Sequence, residues 1–237
     1  KIVRLMQAAS NPALLNFPLQ EFLGEGYPEA SHIINDLEIV RDIASYQSKE
    51  IPSKFFETLK LVKNLLNRGH KVIIWASFIQ TIHFLKDYLA SHDINSQVLY
   101  GAIPVERNGE DVDELTREKI IAQFHNEDCP YKVIIANPFA VSESISLHKA
   151  CHHAIYVERT FNAAHFMQSK DRIHRYGLKP TDETNYYFIL SRDTIDEVID
   201  KRLSEKEKRM IEVTESMPIP LFDNLENDLG DEDIKAL

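Results

Sequence analysis

From Ile51 onward, short apolar runs alternate with longer stretches in which apolar residues recur every three or four positions. The runs are Lys71 to Ala76, with Val-Ile-Ile-Trp at its centre, then Gln97 to Tyr100, Lys132 to Ala136, Ala154 to Glu158 and Asn185 to Leu190. Helical spacing fills the intervals Ser53 to Arg68, Gln80 to Ser91, Thr116 to His125 and a segment that runs on to Gly177. Short β-branched runs suit strands buried on both faces. Their alternation with helices of this length predicts an α/β domain with a mainly parallel sheet. In such a sheet, ligands meet the loops at the carboxyl ends of the strands.

Helical segments flank this region. Lys1 to Asn16 carries Ile2, Leu5, Met6 and Ala9 at helical spacing and breaks near Asn11-Pro12. Residues 17–30 hold Pro18, Gly24, Gly26 and Pro28 and read as a loop, and a second helix is expected from His32 to Tyr46. Ser53 is the expected N-cap of the next helix and Gly69 its stop signal. Thr194 to Glu212 is a long charged helix with an apolar stripe of Ile195, Val198, Ile199 and Leu203. The expected division is a helical entry segment over 1–50, an α/β lobe over 51–192, a C-terminal helix over 193–214 and an acidic tail over 215–237.

Composition narrows the setting. A chain of 237 residues with 43% hydrophobic content can bury a full core. Cys129 and Cys151 form no CxxC pair, which suits a reducing interior, and neither a membrane-length apolar run nor a signal peptide is visible. An intracellular, cytoplasmic protein is expected. Lys1 in first place predicts a piece of something longer. The net charge of −10 counts against nucleic-acid binding, yet seven acidic residues and one lysine lie from Glu215 onward, so the preceding part is far less acidic. The acidic tail reads as either a mobile tail or a strip for a protein partner. His148, Cys151, His152 and His153 are all possible zinc ligands, but they have no second pair at structural-site spacing, so no metal site is assigned.

The densest chemistry lies in Phe161 to Gly177. Arg172 and Arg175 stand three apart, so on a helix both guanidinium groups would leave one face as a fork for a phosphate. The plainer alternative is a surface helix on which Asp171 pairs with Arg175.

The wider wording, Gln168-x-x-Asp171-Arg172-x-His174-Arg175-x-Gly177, resembles the sixth motif of superfamily 2 helicases in the form carried by Swi/Snf-type DNA translocases. Leu5-Met6-Gln7-Ala8-Ala9-Ser10-Asn11-Pro12-Ala13-Leu14-Leu15 resembles the segment that enters the second lobe of those ATPases, and Lys71 to Phe78 their fourth motif. Leu99-Tyr100-Gly101, Pro104, Arg117 and Phe124 are similar to the next block, and Val133 to Pro138 with Ser142 to Leu147 to the fifth, where Ser142 and Ser144 replace the usual glycines. Thr194 to Leu203 resembles the helix that follows that lobe.

The resemblance implies a three-layer RecA-like lobe, with Arg172 and Arg175 as catalytic arginines and Arg175 as the finger. Gln168 and Asp171 would support them in the ATP cleft, and Ser77, Phe78, Gly101, Asn137, Ser142 and Ser144 would lie on the DNA side. The compact lobe suggests a prokaryotic protein. ATP and Mg²⁺ would be held mainly by a first lobe, because this sequence has neither a Gly-x-x-x-x-Gly-Lys-Ser/Thr loop nor an Asp-Glu-x-His box. This chain alone is therefore expected not to hydrolyse ATP. The partners implied are that first lobe and double-stranded DNA. An RNA helicase lobe and a non-catalytic α/β interaction module are the alternatives.

Overall fold

The computed structural model describes residues 1–17, 37–105, 115–139, 145–175, 178 and 182–216. Five strands, β1 (Val72–Trp75), β2 (Ser96–Leu99), β3 (Val133–Ala136), β4 (His153–Tyr156) and β5 (Asn185–Phe188), form one sheet in the order β2-β3-β1-β4-β5. All four pairings are parallel. The central strands read Val-Ile-Ile-Trp and Val-Ile-Ile-Ala because neither of their faces meets water.

Alternation along each strand divides the interior in two. Ile73, Trp75, Ile134, Ala136, Ala154 and Tyr156 point into one core, and Val72, Ile74, Val133, Ile135 and Ile155 into the other. The helices, in chain order, are α1 (Ile2–Ser10), α2 (Leu37–Lys49), α3 (Ser53–Asn67), α4 (Ile79–Ala90), α5 (Arg117–His125), α6 (Ala163–Lys170) and α7 (Ile195–Ser216). Met6 of α1, Ile120 and Phe124 of α5, Phe166 of α6 and Ile195, Ile199 and Leu203 of α7 close the first core. The second is closed by Phe55, Leu59, Val62 and Leu65 of α3 with Ile82, Leu85 and Leu89 of α4. The result is the three-layer α/β arrangement the resemblance implies, with an N-terminal helical segment and a long C-terminal helix. No described helix is long and apolar enough to cross a membrane.

Local signals account for most boundaries. α1 stops at Ser10, and the Asn11 side chain accepts the Ala13 N–H at 3.0 Å to start a 3₁₀ turn, Pro12–Asn16. Gly69, at φ +82°, ends α3 while the His70 N–H returns to the Leu65 carbonyl at 3.1 Å. Thr116 caps α5 through its side chain. Ser53 is not the N-cap expected of it: Pro52 holds that place and Ser53 is the first helical residue.

The larger correction concerns the arginine segment. α6 ends at Lys170, before either arginine. The Arg172 and Ile173 N–H groups return to the carbonyls of Ser169 and Lys170 at 3.3 and 3.2 Å, three residues back, so the last turn tightens. That turn buries Ile173 completely and brings the Arg172 carbonyl to the Leu147 N–H at 2.9 Å. Burial of Ile173 outweighs continuation of the helix.

Candidate functional site

In the order β2-β3-β1-β4-β5, the chain leaves β1 toward β2 and β3 and then crosses to β4, so the sheet changes winding direction beside β1. Open α/β sheets bind ligands at the carboxyl ends of the strands at such a point. Here that crevice is filled. Glu158, two residues beyond β4 and 5% exposed, accepts the Ser77 and Phe78 N–H groups through Oε2, both at 2.9 Å. Its Oε1 accepts the Thr81 hydroxyl at 2.6 Å and the hydroxyl of Ser10, which arrives from α1. Burial pushes the Glu158 carboxyl above the usual range, against the pull of Ser10, Thr81, Phe78 and Lys54.

Asn137 closes the other side of the same junction. Its Nδ2 donates to the Ser77 carbonyl at 2.8 Å, its Oδ1 accepts the Phe139 N–H at 2.8 Å, and its own N–H reaches the Leu99 carbonyl at 2.9 Å. Lys54, 3% exposed, donates to the Val157 carbonyl at 2.9 Å and pairs with Asp196 at 2.6 Å, which ties α3 and α7 to the end of β4. The carboxyl ends of β1, β3 and β4 are thus one polar network.

The residues expected to face DNA divide accordingly. Ser77 and Phe78 are buried, the Phe78 ring within the first core, and the Asn137 amide is engaged internally. Gly101 is exposed, and its carbonyl accepts from Arg117 Nη2 at 2.9 Å. Arg117 also donates to the carbonyls of Ile103 and Tyr100, so it sets the loop that leaves β2. A side chain at Gly101 would meet open space, so neither crowding nor backbone conformation demands glycine there. Ser142, Ser144 and Gly177 lie outside the described residues.

The two arginines do not form a fork on one helical face. Arg172 is 6% exposed and donates from Nη1 to the Ile145 carbonyl at 3.2 Å, whereas Arg175 is exposed. Burial lowers the Arg172 pKa, Arg175 adds to the effect, and Asp171 opposes it. Gln168, on α6, and Asp171, its C-cap, are both exposed. Among the described residues Asp171 and Arg175 make no ion pair, so the plain surface pair does not form either. Arg172 anchors the strand-entry segment at Ile145 and Leu147, and Arg175 is the guanidinium left at the surface.

The possible zinc ligands do not converge. Cys151 is buried, with its thiol directed at the Lys71 carbonyl and its pKa pushed up to about 12 by burial. His152 meets the His148 carbonyl at 2.7 Å, and His153 packs against His70 with ring centroids 4.3 Å apart. No three His, Cys, Asp or Glu side chains among the described residues could hold one ion.

Reading by motif passed over Glu158, Lys54 and Arg159. Arg159 lies 4.3 Å over the Phe188 ring and pairs with Asp200 at 2.5 Å, joining β5 to α7. The signal for Glu158 and Arg159 was their place after an apolar strand, where side chains meet neighbouring strand ends. Lys54 gave none, because a lysine in a first helical turn is ordinarily solvated.

Residues 57–177, just over half of the chain, match the family described as helicase conserved C-terminal domain. Chromatin remodeling factor mit1 of Schizosaccharomyces pombe is 25% identical over 173 residues, covering 73% of this chain and 11% of that protein. The human lymphoid-specific helicase is 25% identical over 204 residues, 86% of this chain and 21% of its own length. ATP-dependent helicase fft1 of S. pombe is 29% identical over 187 residues, 75% of this chain and 18% of that protein. This chain therefore spans only a tenth to a fifth of the length of these relatives. The crystal structure of the C-terminal part of the Fun30 ATPase domain superposes with a TM-score of 0.54 at 25% identity, over 64% of this chain and 45% of that one. Relatives in yeast and human overturn the expectation of a prokaryotic protein, which rested on compactness alone. The matched span begins inside α3 and ends just past Arg175, so it takes in Ser77, Phe78, Thr81, Asn137 and Glu158 at the strand ends and both arginines, and the chain belongs to the helicase conserved C-terminal domain family.

Proposed function

We propose that this chain is the second motor lobe of a Swi/Snf-type, ATP-dependent DNA translocase. The observation that carries the proposal is an exposed Arg175, unpaired among the described residues, at the end of a matched helicase domain whose other arginine is locked in place. Relatives named as an ATP-dependent helicase and a chromatin remodeling factor support it.

In this reading ATP lies on a first lobe and the two lobes close over it. Arg175 then meets the γ-phosphate as the arginine finger, where positive charge stabilises the charge that grows on the phosphoryl oxygens. Arg172 positions that finger by holding the turn to Ile145 and Leu147, and Gln168 and Asp171 border the cleft. The described residues do not fit a resident Mg²⁺, since no three carboxylate, histidine or cysteine ligands converge, so the metal would be held with the nucleotide by the first lobe. DNA would pass the carboxyl edge of the sheet. Because Ser77, Phe78 and Asn137 are engaged internally, they would shape that edge while Gly101, Ser142 and Ser144 approach the backbone. Contacts of this kind are independent of sequence. Residues 1–50 and 193–214 flank the lobe, and the acidic tail over 215–237 would take a protein partner.

Turnover measured on the two-lobe protein tests the reading. ATP hydrolysis should rise with duplex DNA, and this chain alone should show none. Stimulation by duplex RNA instead would favour an RNA helicase lobe, and no turnover under any condition would favour an interaction module.

A further inference from the structure

The end of α5, the loop after Ile145 and the arginine turn bring together an unusual set of cations. His125, the last residue of α5, holds the Ser146 carbonyl through Nε2 at 2.9 Å. Ser146 Oγ meets His148 Nδ1 at 2.8 Å, and His152 Nε2 meets the His148 carbonyl at 2.7 Å. The loop itself is fixed from below, since the Leu147 N–H reaches the Arg172 carbonyl and the Ala150 and Cys151 N–H groups both return to Leu147 at 2.9 Å. Each histidine thus has one ring nitrogen committed to the loop. Among the described residues, the other nitrogen of each has no protein partner.

The surrounding charge is one-sided. Burial lowers the His148 pKa, and Lys149, Arg175, His125 and His152 all act on it in the same direction. No carboxylate counters them. Glu127 and Asp128 follow α5 but are exposed, and Asp171 acts on Arg172; none of the three makes an ion pair among the described residues. Lys71 lies near the end of α5 as well, but its ammonium is taken by the carbonyls of Phe124 at 2.5 Å and Asn126 at 2.7 Å. In a chain of net charge −10, five cationic or protonatable groups without a carboxylate partner call for an anion.

We propose that His125, His148, Lys149 and His152, beside Arg175, form a binding site for a polyphosphate oxyanion of the pyrophosphate class. Ammonium, guanidinium and imidazolium N–H groups on the loop, the end of α5 and the arginine turn can share several phosphate oxygens through charge-assisted hydrogen bonds. The patch spans one loop and one helix end, which suits a compact anion better than the long track of a nucleic-acid backbone. The site belongs to this lobe alone and does not depend on the arginine-finger reading.

Histidine ring resonances of this chain, followed during titration with sodium pyrophosphate at constant ionic strength, test the site. At pH 6 the signals of His148 and His152 should shift with saturation. Lys149→Gln, at an exposed position that leaves the fold intact, should weaken binding about fivefold at pH 6. Shifts no larger than those in sodium chloride, or the same affinity in Lys149→Gln, would overturn the proposal. So would a short DNA duplex moving these resonances while pyrophosphate does not. Because no turnover is measured, failure here leaves the motor reading untouched, and failure of the motor reading leaves this site standing.

Discussion

Glu158 accepts the backbone N–H of Phe78 at 2.9 Å across 80 positions of sequence, and so joins the end of β4 to the start of α4. The same carboxylate takes the Ser77 N–H, the Thr81 hydroxyl and the Ser10 hydroxyl. One side chain thereby aligns two strand ends of the helicase domain and docks the N-terminal helix on them. Replacing Glu158 with Ala would leave four buried donors without their acceptor, and each such loss costs about 1–3 kcal/mol. Glu158→Ala should therefore lower stability by about 3–5 kcal/mol in urea unfolding. Glu158→Gln, which keeps one acceptor oxygen, should cost less. A double-mutant cycle with Ser10→Ala should show coupling, and strict additivity would mean that α1 does not depend on this carboxylate.

Lys54 poses a similar question from the other side of the sheet. It is 3% exposed, and it pairs with Asp196 at 2.6 Å while also donating to the Val157 carbonyl. Lys54→Met leaves Asp196 as an uncompensated carboxylate at low exposure and should cost about 3 kcal/mol. The double substitution Lys54→Met with Asp196→Asn should recover part of that loss in thermal unfolding, because the stranded charge is gone.

His153 makes stability depend on pH. It packs between His70 and Tyr187, and burial, followed by the charges of His70, His152 and Arg68, lowers its pKa to about 4 from 6.5. The unfolded chain then binds the proton that the folded chain refuses. His153 imposes no penalty above pH 6.5, and stability falls as pH drops from there toward about 4. The loss should be on the order of 2 kcal/mol across that window, and His153→Gln should flatten it in melting curves taken between pH 4 and 7.

Arg159 holds β5 and α7 through its stack on Phe188 and its pair with Asp200. Arg159→Lys keeps the charge but loses the planar stack, so it should cost about 1 kcal/mol in urea unfolding. No change would show that the charge alone holds α7 there.

The layered sheet was legible because each central strand is apolar throughout and each helix carries its own stripe. Ile73 and Ile74 announce burial on both faces without knowledge of their neighbours. Ends set by local chemistry, at Gly69 and Thr116, were legible for the same reason. Where the reading failed, a distant contact decided the outcome. Helical spacing carries Arg172 and Arg175 onward, but the complete burial of Ile173 and the bond from Leu147 to the Arg172 carbonyl break the helix at Lys170. Glu158 escaped notice because its four partners lie in two stretches of sequence, Ser10 and Ser77 to Thr81, both far from it along the chain. The role of Arg172 changed similarly, from half of a surface fork to a buried anchor, and this leaves Arg175 as the exposed arginine on which the proposed finger rests.

The account therefore turns on Arg175, and ATP turnover by the two-lobe protein carrying Arg175→Ala, with and without duplex DNA, tests it most directly. Loss of one missing transition-state charge should reduce DNA-stimulated turnover by about 10³-fold or more, with melting unchanged because the side chain is exposed. Turnover equal to that of the unsubstituted protein would contradict the account.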